Sequence, residues 1–374
     1  MRITKYIAHL RWEKRRRLFH GQLISLSLVV CMLALTSCQS FSMPTPGAKT
    51  PGQPFTTGSS GGPTSFHHQK AITWQIEQTW GMWPNTNWNA VEQDAVDLEN
   101  AHNTWARTNL DQGIPVAYFD RVLQIATQHG IHLLPLVSKN NPAKDIGTQR
   151  QRDEYKAWLG SEVQRYKGSM SYWEIENETN SPDGWNIDND PDSDQQQFDT
   201  SVQHFVEDMQ DSYTTIHAND PNGKVVFGGV SQYNGARYID SMIKYNAYHY
   251  LDVMAYHPYG SNPKQDLKRL KVLQEKMASQ PGFAGKPIWV TEIGYHTMKD
   301  WTNNAGYVPD ENTKATYLTQ TMEMLSTNGV QMVFWYTLHE DDGTDGYGLT
   351  RRSAQKLATV YLPAYTAMKD LWSD

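Results

Sequence analysis

Three glutamates alternate in the segment YWEIENETN, residues 172–180: Glu174, Glu176 and Glu178. A strand sends alternate side chains to one face, so this segment can aim three carboxyl groups the same way. A further carboxyl stands in PIWVTEIGY, residues 287–295, as Glu292. Two carboxyl groups close together hold their protons with different strength, and that split lets one act as an acid and the other as a base or nucleophile. Cleavage of a glycosidic bond needs such a pair. One group protonates the leaving oxygen, and the other stands as a carboxylate on the far side of the anomeric carbon. Arg107, His257, Tyr259 and Trp335 lie in or at the ends of other apolar runs, which supplies a cation, a proton carrier and two aromatic faces.

These side chains need a scaffold. From about residue 72 short apolar runs alternate with amphipathic segments. Eight runs read as strands: 73–80, 104–109, 131–137, 171–178, 224–230, 251–257, 287–293 and 330–337. Several are continuously apolar, as parallel strands covered on both faces are. Between them, residues 117–129 place Phe119, Val122, Leu123 and Ala126 on one helical face, with Gly130 as the stop. Residues 314–328 do the same with Ala315, Leu318, Met322 and Leu325, before Gly329. Further helices are expected near 89–102, 150–166, 195–217, 235–245, 264–279 and 354–370. Eight strand–helix units over roughly 300 residues predict a (β/α)8 barrel, whose active site lies at the C-terminal strand ends. The alternative, an open doubly wound sheet, wants a Gly-rich phosphate turn after its first strand. The segment TWGMWPN is not one.

In this frame Asn177-Glu178 ends the fourth strand and Glu292 the seventh. The pair resembles the two catalytic glutamates of retaining glycoside hydrolases of clan A. The likeness runs over about residues 72–370, and YWEIENETN and PIWVTEIGY are most similar to family 39 and its bacterial relatives, with family 5 next. The resemblance implies that Glu178 is the acid/base and Glu292 the nucleophile of a double displacement, with no cofactor. It implies that Asn177 meets the sugar 2-hydroxyl, that Arg107 keeps Glu292 ionised, that Tyr259 bonds the nucleophile beside His257, and that Trp335 is a platform under the sugar. Plainer roles stand beside these: Arg107 pairing with Glu174, His257 as a satisfied barrel histidine, Trp335 as core. Glu174 and Glu176 read as buried and paired with interior cations, Arg107 among them. The run LPLVSKNNP lacks the histidine that family 5 carries after strand three, which leaves Lys139 or Asn140 open as a substitute sugar contact. Trp83, Trp185 and Trp301, in loops after strands one, four and seven, are candidate substrate contacts.

Two acidic loops invite a metal reading. Residues 188–199, DNDPDSDQQQFD, space aspartates like a calcium loop but carry Ser193 where the turn needs glycine, and Pro191 intrudes. They read as a solvated loop, as does HEDDGTDG at 339–346, and no metal is assigned.

The N-terminal 37 residues combine a basic run, RWEKRRR, with an apolar stretch too short for a membrane span and the lipobox-like Leu35-Thr36-Ser37-Cys38. Residues 1–37 read as a lipoprotein signal, Cys38 as the lipidated residue, 38–70 as a Pro/Gly/Ser/Thr-rich tether and 71–374 as the barrel. That arrangement puts a monomeric domain on a membrane, outside the cytoplasm. Cys31 and Cys38 are the only cysteines, so the barrel has no disulfide, thiol nucleophile or Cys-bound metal. Residues 1–37 hold seven Lys/Arg and one Glu. Without them the formal charge of −7 becomes about −13, which repels phosphate backbones and argues against nucleic acid. The expected partner is a carbohydrate, and the main reading is an extracellular glycosidase. A catalytically inactive carbohydrate-binding lipoprotein on the same barrel is the alternative.

Overall fold

Short parallel strands follow one another around a barrel in the computed structural model, which describes residues 69–373 apart from 82, 140–146, 181–194, 232–234, 299–305, 342–345 and 354–355. They are β1 (Lys70–Thr73), β2 (Trp105–Asp111), β3 (His132–Ser138), β4 (Tyr172–Ile175), β5 (Lys224–Phe227), β6 (Val230–Ser231), β7 (Met254–His257), β8 (Ile288–Ile293) and β9 (Val330–Trp335). Their order is β5-β4-β3-β2-β1-β9-β8-β7-β6. The run expected as one strand over 224–230 is two pieces, β5 and β6, parted by Gly228-Gly229. A Val226–Val253 bridge joins the β5 side to the chain entering β7 and brings the two edges of the sheet together. The expected (β/α)8 barrel is the architecture found.

Helices cover the outer face: α1 (Ile76–Trp80), α2 (Trp88–Asn100), α3 (Val116–Gln128), α4 (Gln149–Tyr166), α5 (Gln195–Asn219), α6 (Gly235–Lys244), α7 (Pro263–Ala278), α8 (Glu311–Thr327) and α9 (Pro363–Asp370). The stripes seen in the sequence are the buried ones. Phe119, Val122, Leu123 and Ala126 of α3, and Leu318, Met322 and Leu325 of α8, lie inside. No helix among the described residues is long and apolar enough to cross a membrane.

The barrel interior is layered with period two. Ala71, Trp105, Ala255, Trp289 and Phe334 form an apolar floor with Tyr172 against it. Two residues further along the same strand faces stand Thr73, Arg107, Glu174, His257, Thr291 and Tyr336. A strand repeats its facing every second residue, so this polar layer sits directly above the floor.

Three further expected elements change. Residues 73–80 are not a strand: β1 ends at Thr73, and the chain turns into α1, which brings the indole N–H groups of both Trp74 (3.1 Å) and Trp80 (2.6 Å) onto Asp94 of α2. The fourth strand stops at Ile175 rather than 178, because Glu176 and Glu178 take left-handed φ values of 61° and 42°. The helix expected over 354–370 is instead a strand pair, β11 (Thr350–Ser353) and β12 (Lys356–Tyr361), before α9. Together with β10 (His339–Asp341) it forms a small sheet. Pro363 opens α9, and a proline disfavours helix in the residue before it.

Asp266 of α7 ties together the loops above β7 and β8. It accepts from the Gly260 N–H (2.7 Å), from the Tyr295 hydroxyl and, at the long end, from Thr321 (3.5 Å). Burial pushes its carboxyl up to about 7, against the opposing pull of those hydrogen bonds. A carboxyl raised in the folded state holds its proton more tightly than in the unfolded chain, where the value is about 3.9. Its contribution is therefore fully present below pH ~4 and lost as pH rises towards 7. We expect Asp266→Asn to flatten the decline in unfolding free energy between pH 4 and 7 by no more than ~4 kcal/mol, read from urea midpoints across that range.

Candidate active site

The polar layer is organised by Arg107. Its Nε donates to Glu174 Oε2 at 2.6 Å, its Nη1 to Glu292 Oε2 at 3.1 Å and its Nη2 to Asn177 Oδ1 at 2.7 Å. Burial alone would weaken its hold on the proton, but Glu174 and Glu292 more than offset this, so the guanidinium stays charged. Glu174 has no exposure, and besides Arg107 it accepts from the Thr291 hydroxyl (2.8 Å) and the Gly229 N–H (3.3 Å). Both pairings weighed for Arg107, with Glu174 and with Glu292, therefore occur at once. The planar fork of arginine allows this and a lysine would not.

Glu292 receives a second donor, the Tyr259 hydroxyl, at 2.8 Å. Burial first, and then the Glu292 charge, raise this phenol well above its usual range, so it keeps its proton for that bond. Glu292 follows Thr291 directly, yet both reach the site. The β8–β9 pairing shifts register between Val290 and Ile293, and such an irregularity can re-aim a side chain.

Glu178 faces Glu292 from the end of β4. A carboxylate oxygen of each and a ring nitrogen of His257 lie within 4.8 Å of one another. Three such groups could in principle hold a metal ion. Arg107 already places a positive charge on Glu292, which disfavours a second cation there. Glu178 Oε1 sits 2.9 Å from His257 Nδ1, and His257 Nε2 sits 3.0 Å from Thr291 Oγ1. The His257 ring is wholly buried, so it contacts Glu178 rather than standing open as a substrate contact.

The backbone that aims Glu178 is irregular. Two left-handed stations at non-glycine residues, Glu176 and Glu178 on either side of Asn177, cost of order 1–3 kcal/mol each and persist only when the surroundings hold them. They are held here: Glu176 N–H donates to Val137 O (2.9 Å), Glu178 N–H to Gly229 O (3.0 Å), and Glu176 Oε1 accepts from the Lys139 N–H (3.0 Å). The three alternating glutamates thus do not share a face. Glu174 is buried, while Glu176 is half-buried and turned to the β3 end. Gly228 lets its neighbours approach, since a Cβ there would stand 2.2 Å from Ile175 O. A Cβ on Gly229 would stand 1.9 Å from His257 Nε2. We expect Gly229→Ala to cost ~1–3 kcal/mol of stability through overpacking, seen as a lower urea midpoint, and to lower any activity by displacing His257.

The structure thus brings together Glu178, Glu292, Asn177, Arg107, His257 and Tyr259. It does not bring in Trp335. One residue out of phase with Phe334 and Tyr336, Trp335 faces the helices, is wholly buried and packs against Tyr295. The half-exposed aromatic at that strand end is Tyr336, whose hydroxyl accepts from Gln75 Nε2 at 2.8 Å and whose ring meets Tyr347. Lys139 turns away to Asp208 (2.6 Å), and Trp83 is exposed beside Trp88. Cys38, Asn140, Trp185, Trp301 and most of the acidic loop at 188–199 lie outside the described residues. Sequence reading missed Thr291, Tyr336, Gln75 and the Gly228-Gly229 pair. Period-two facing from Trp289 and Phe334 points to the first two, and the doubled glycine inside an apolar run marks the last.

Residues 187–360 match a family model described as the glycosyl hydrolase catalytic core. No curated protein matches the sequence. Among solved structures, a family 39 glycoside hydrolase from Bacteroides cellulosilyticus aligns with a TM-score of 0.61 at 16% identity, over 82% of this chain and 63% of its own. A family 2 β-galacturonidase from Eisenbergiella tayi aligns with a TM-score of 0.56 at 14% identity, over 81% of this chain and 50% of its own. A β-D-glucuronidase from Dictyoglomus thermophilum gives 0.56 at 12%, over 81% and 50%. The chain spans between half and two thirds of the length of these proteins, and at such identities the likeness is one of fold. The (β/α)8 barrel is the fold shared with these proteins, and residues 187–360 are the part that matches a glycosyl hydrolase catalytic core.

Proposed function

We propose that the protein is a retaining O-glycoside hydrolase acting on an extracellular poly- or oligosaccharide. The observation that carries this reading is the approach of Glu178 and Glu292 to within 4.8 Å, oxygen to oxygen. Retaining enzymes set their carboxyl groups about 5–5.5 Å apart, whereas inverting enzymes leave roughly 6.5–9.5 Å for a water. In the first step Glu292 attacks the anomeric carbon while Glu178 gives its proton to the departing oxygen. In the second, Glu178 takes a proton from water as the water oxygen displaces Glu292. Arg107 and Tyr259 hold Glu292 as a single aimed oxyanion. Asn177 must turn its carbonyl oxygen to Arg107, so its amide N–H is the group left to meet the sugar 2-hydroxyl. Tyr336 takes the platform position under the sugar in place of Trp335. The basic and apolar N-terminal segment supports a lipid-anchored or secreted protein outside the cytoplasm.

The test is hydrolysis of a panel of β-linked aryl glycosides, uronides and polysaccharides, with the first-formed anomer read by proton NMR. Retention of configuration in the initial product is the expected result. Inversion would overturn the double displacement. An inert protein that still binds a glycan by calorimetry would favour the non-catalytic alternative.

A further inference from the structure

We propose that Thr291 and the buried Glu174 are positioning residues that lock the tautomer of His257, with its proton on Nε2 and the Nδ1 lone pair facing Glu178. The ring then holds the acid/base proton on Glu178 in the resting site, until the first chemical step takes it. This inference rests on the reading of Glu178 as the acid/base.

The proton positions follow from donor capacity. Glu174 sits under the Arg107 guanidinium with no exposure to solvent, and a carboxylate so paired can only accept. The Thr291 hydroxyl has one proton, and it goes to Glu174 Oε1 at 2.8 Å. Its oxygen can then only accept from His257 Nε2 at 3.0 Å, so Nε2 carries a hydrogen. A neutral ring with Nε2–H has a lone pair on Nδ1. The 2.9 Å contact with Glu178 Oε1 therefore needs a proton that Glu178 itself supplies. In the flipped orientation carbon atoms would face Glu178 and Thr291, and both contacts would be lost.

The arrangement has a consequence in each step. Before the first, the Glu178 O–H is aimed by Nδ1 and stored beside the reacting bond. When that proton passes to the leaving oxygen, Glu178 becomes a carboxylate facing a fixed lone pair, and the contact turns repulsive. It is restored only when Glu178 regains a proton. In the second step that proton comes from water, whose oxygen bonds to the anomeric carbon as the Glu292–carbon bond breaks. A histidine free to swap tautomers would instead donate Nδ1–H to the carboxylate, settle it as an anion and dull it as a base.

The test compares Thr291→Val, Thr291→Ser and Glu178→Ala in the full chain. Each is assayed as kcat/KM, which reports the first chemical step, on two glycosides of one sugar. One carries a dinitrophenolate leaving group, which needs no acid, and the other an alkyl alcohol, which does. Thr291→Val is expected to lose on the order of 10²-fold on the alkyl glycoside and far less on the dinitrophenyl one, with Thr291→Ser restoring most of the loss. An equal loss on both substrates, or none on either, would overturn the proposal. If Glu178→Ala itself shows no dependence on leaving group, the assignment of Glu178 has failed instead. Nitrogen-15 NMR of the imidazoles, with His257 assigned through His257→Asn, reads the tautomer without any turnover. A pyrrole-type Nε2 and a pyridine-type Nδ1 in the wild type are expected, giving way to a mixture in Thr291→Val. A protonated Nδ1 in the resting wild type would sink the proposal.

Discussion

Replacing Glu292 by alanine is expected to lower kcat/KM on any glycoside the protein cleaves by a factor on the order of 10⁵–10⁶, the scale seen when a covalent nucleophile is deleted. The expectation comes from how completely the site is built around this carboxylate. One oxygen takes the Arg107 guanidinium and the other the Tyr259 hydroxyl. Both donors stabilise an anion, and neither serves a neutral acid. Glu178 meets a histidine nitrogen instead, which suits a group that changes protonation state during turnover. Its replacement by alanine is expected to cost less, ~10²–10⁴-fold on poor leaving groups, because acid assistance is only part of the barrier. Azide separates the two roles. With a β-glycosidase it should rescue Glu178→Ala on an activated substrate as the β-azide, and give the opposite anomer with Glu292→Ala. If Glu178→Ala gave the inverted azide, the two assignments would have to be exchanged.

The second large effect is on stability. Arg107→Met should destabilise the fold by ~3–5 kcal/mol, because it leaves Glu174 as a buried carboxylate without a cation. The Thr291 and Gly229 donors remain, and they do not supply a charge. Adding Glu174→Gln to Arg107→Met should recover a large part of that loss, since the cost arises from the unpaired charge rather than from lost packing. Urea unfolding of the two single variants and the double variant forms the cycle. Additive losses across it would mean that the Arg107–Glu174 pair is not the source of the penalty. Activity should not return with stability in the double variant, because Glu292 and Asn177 have both lost their Arg107 donor.

Much of the site could be read in the sequence because its residues are fixed by strand ends. In a parallel barrel the C-terminal ends of all strands open on one face, so Asn177-Glu178, His257-Pro258-Tyr259 and Glu292 are brought together by strand count, and Arg107 reaches them from within β2. The amphipathic stripes of α3 and α8 were legible for a similar reason, as burial follows a 3.6-residue period. Where a local rule was extended past its range, the reading failed. Period-two alternation stops at Ile175, and the left-handed turns at Glu176 and Glu178 scatter three glutamates that a strand would have aligned. The family resemblance puts a platform at Trp335, but the phase set by Phe334 sends that indole to the helices and Tyr336 to the mouth.

By itself, then, the sequence determined the barrel, the order of its units and which two carboxyl groups meet, because periodicity and strand-end position are properties of the chain. Only the tertiary structure decided which partner each group answers to. Glu174 and Glu292 share one guanidinium, while Glu178 looks through His257 and Thr291 back to Glu174, and Gly229 sets the ring that joins them. Those contacts link residues 67 to 185 positions apart along Arg107's bonds alone, and no local pattern encodes a hydrogen bond across such a distance.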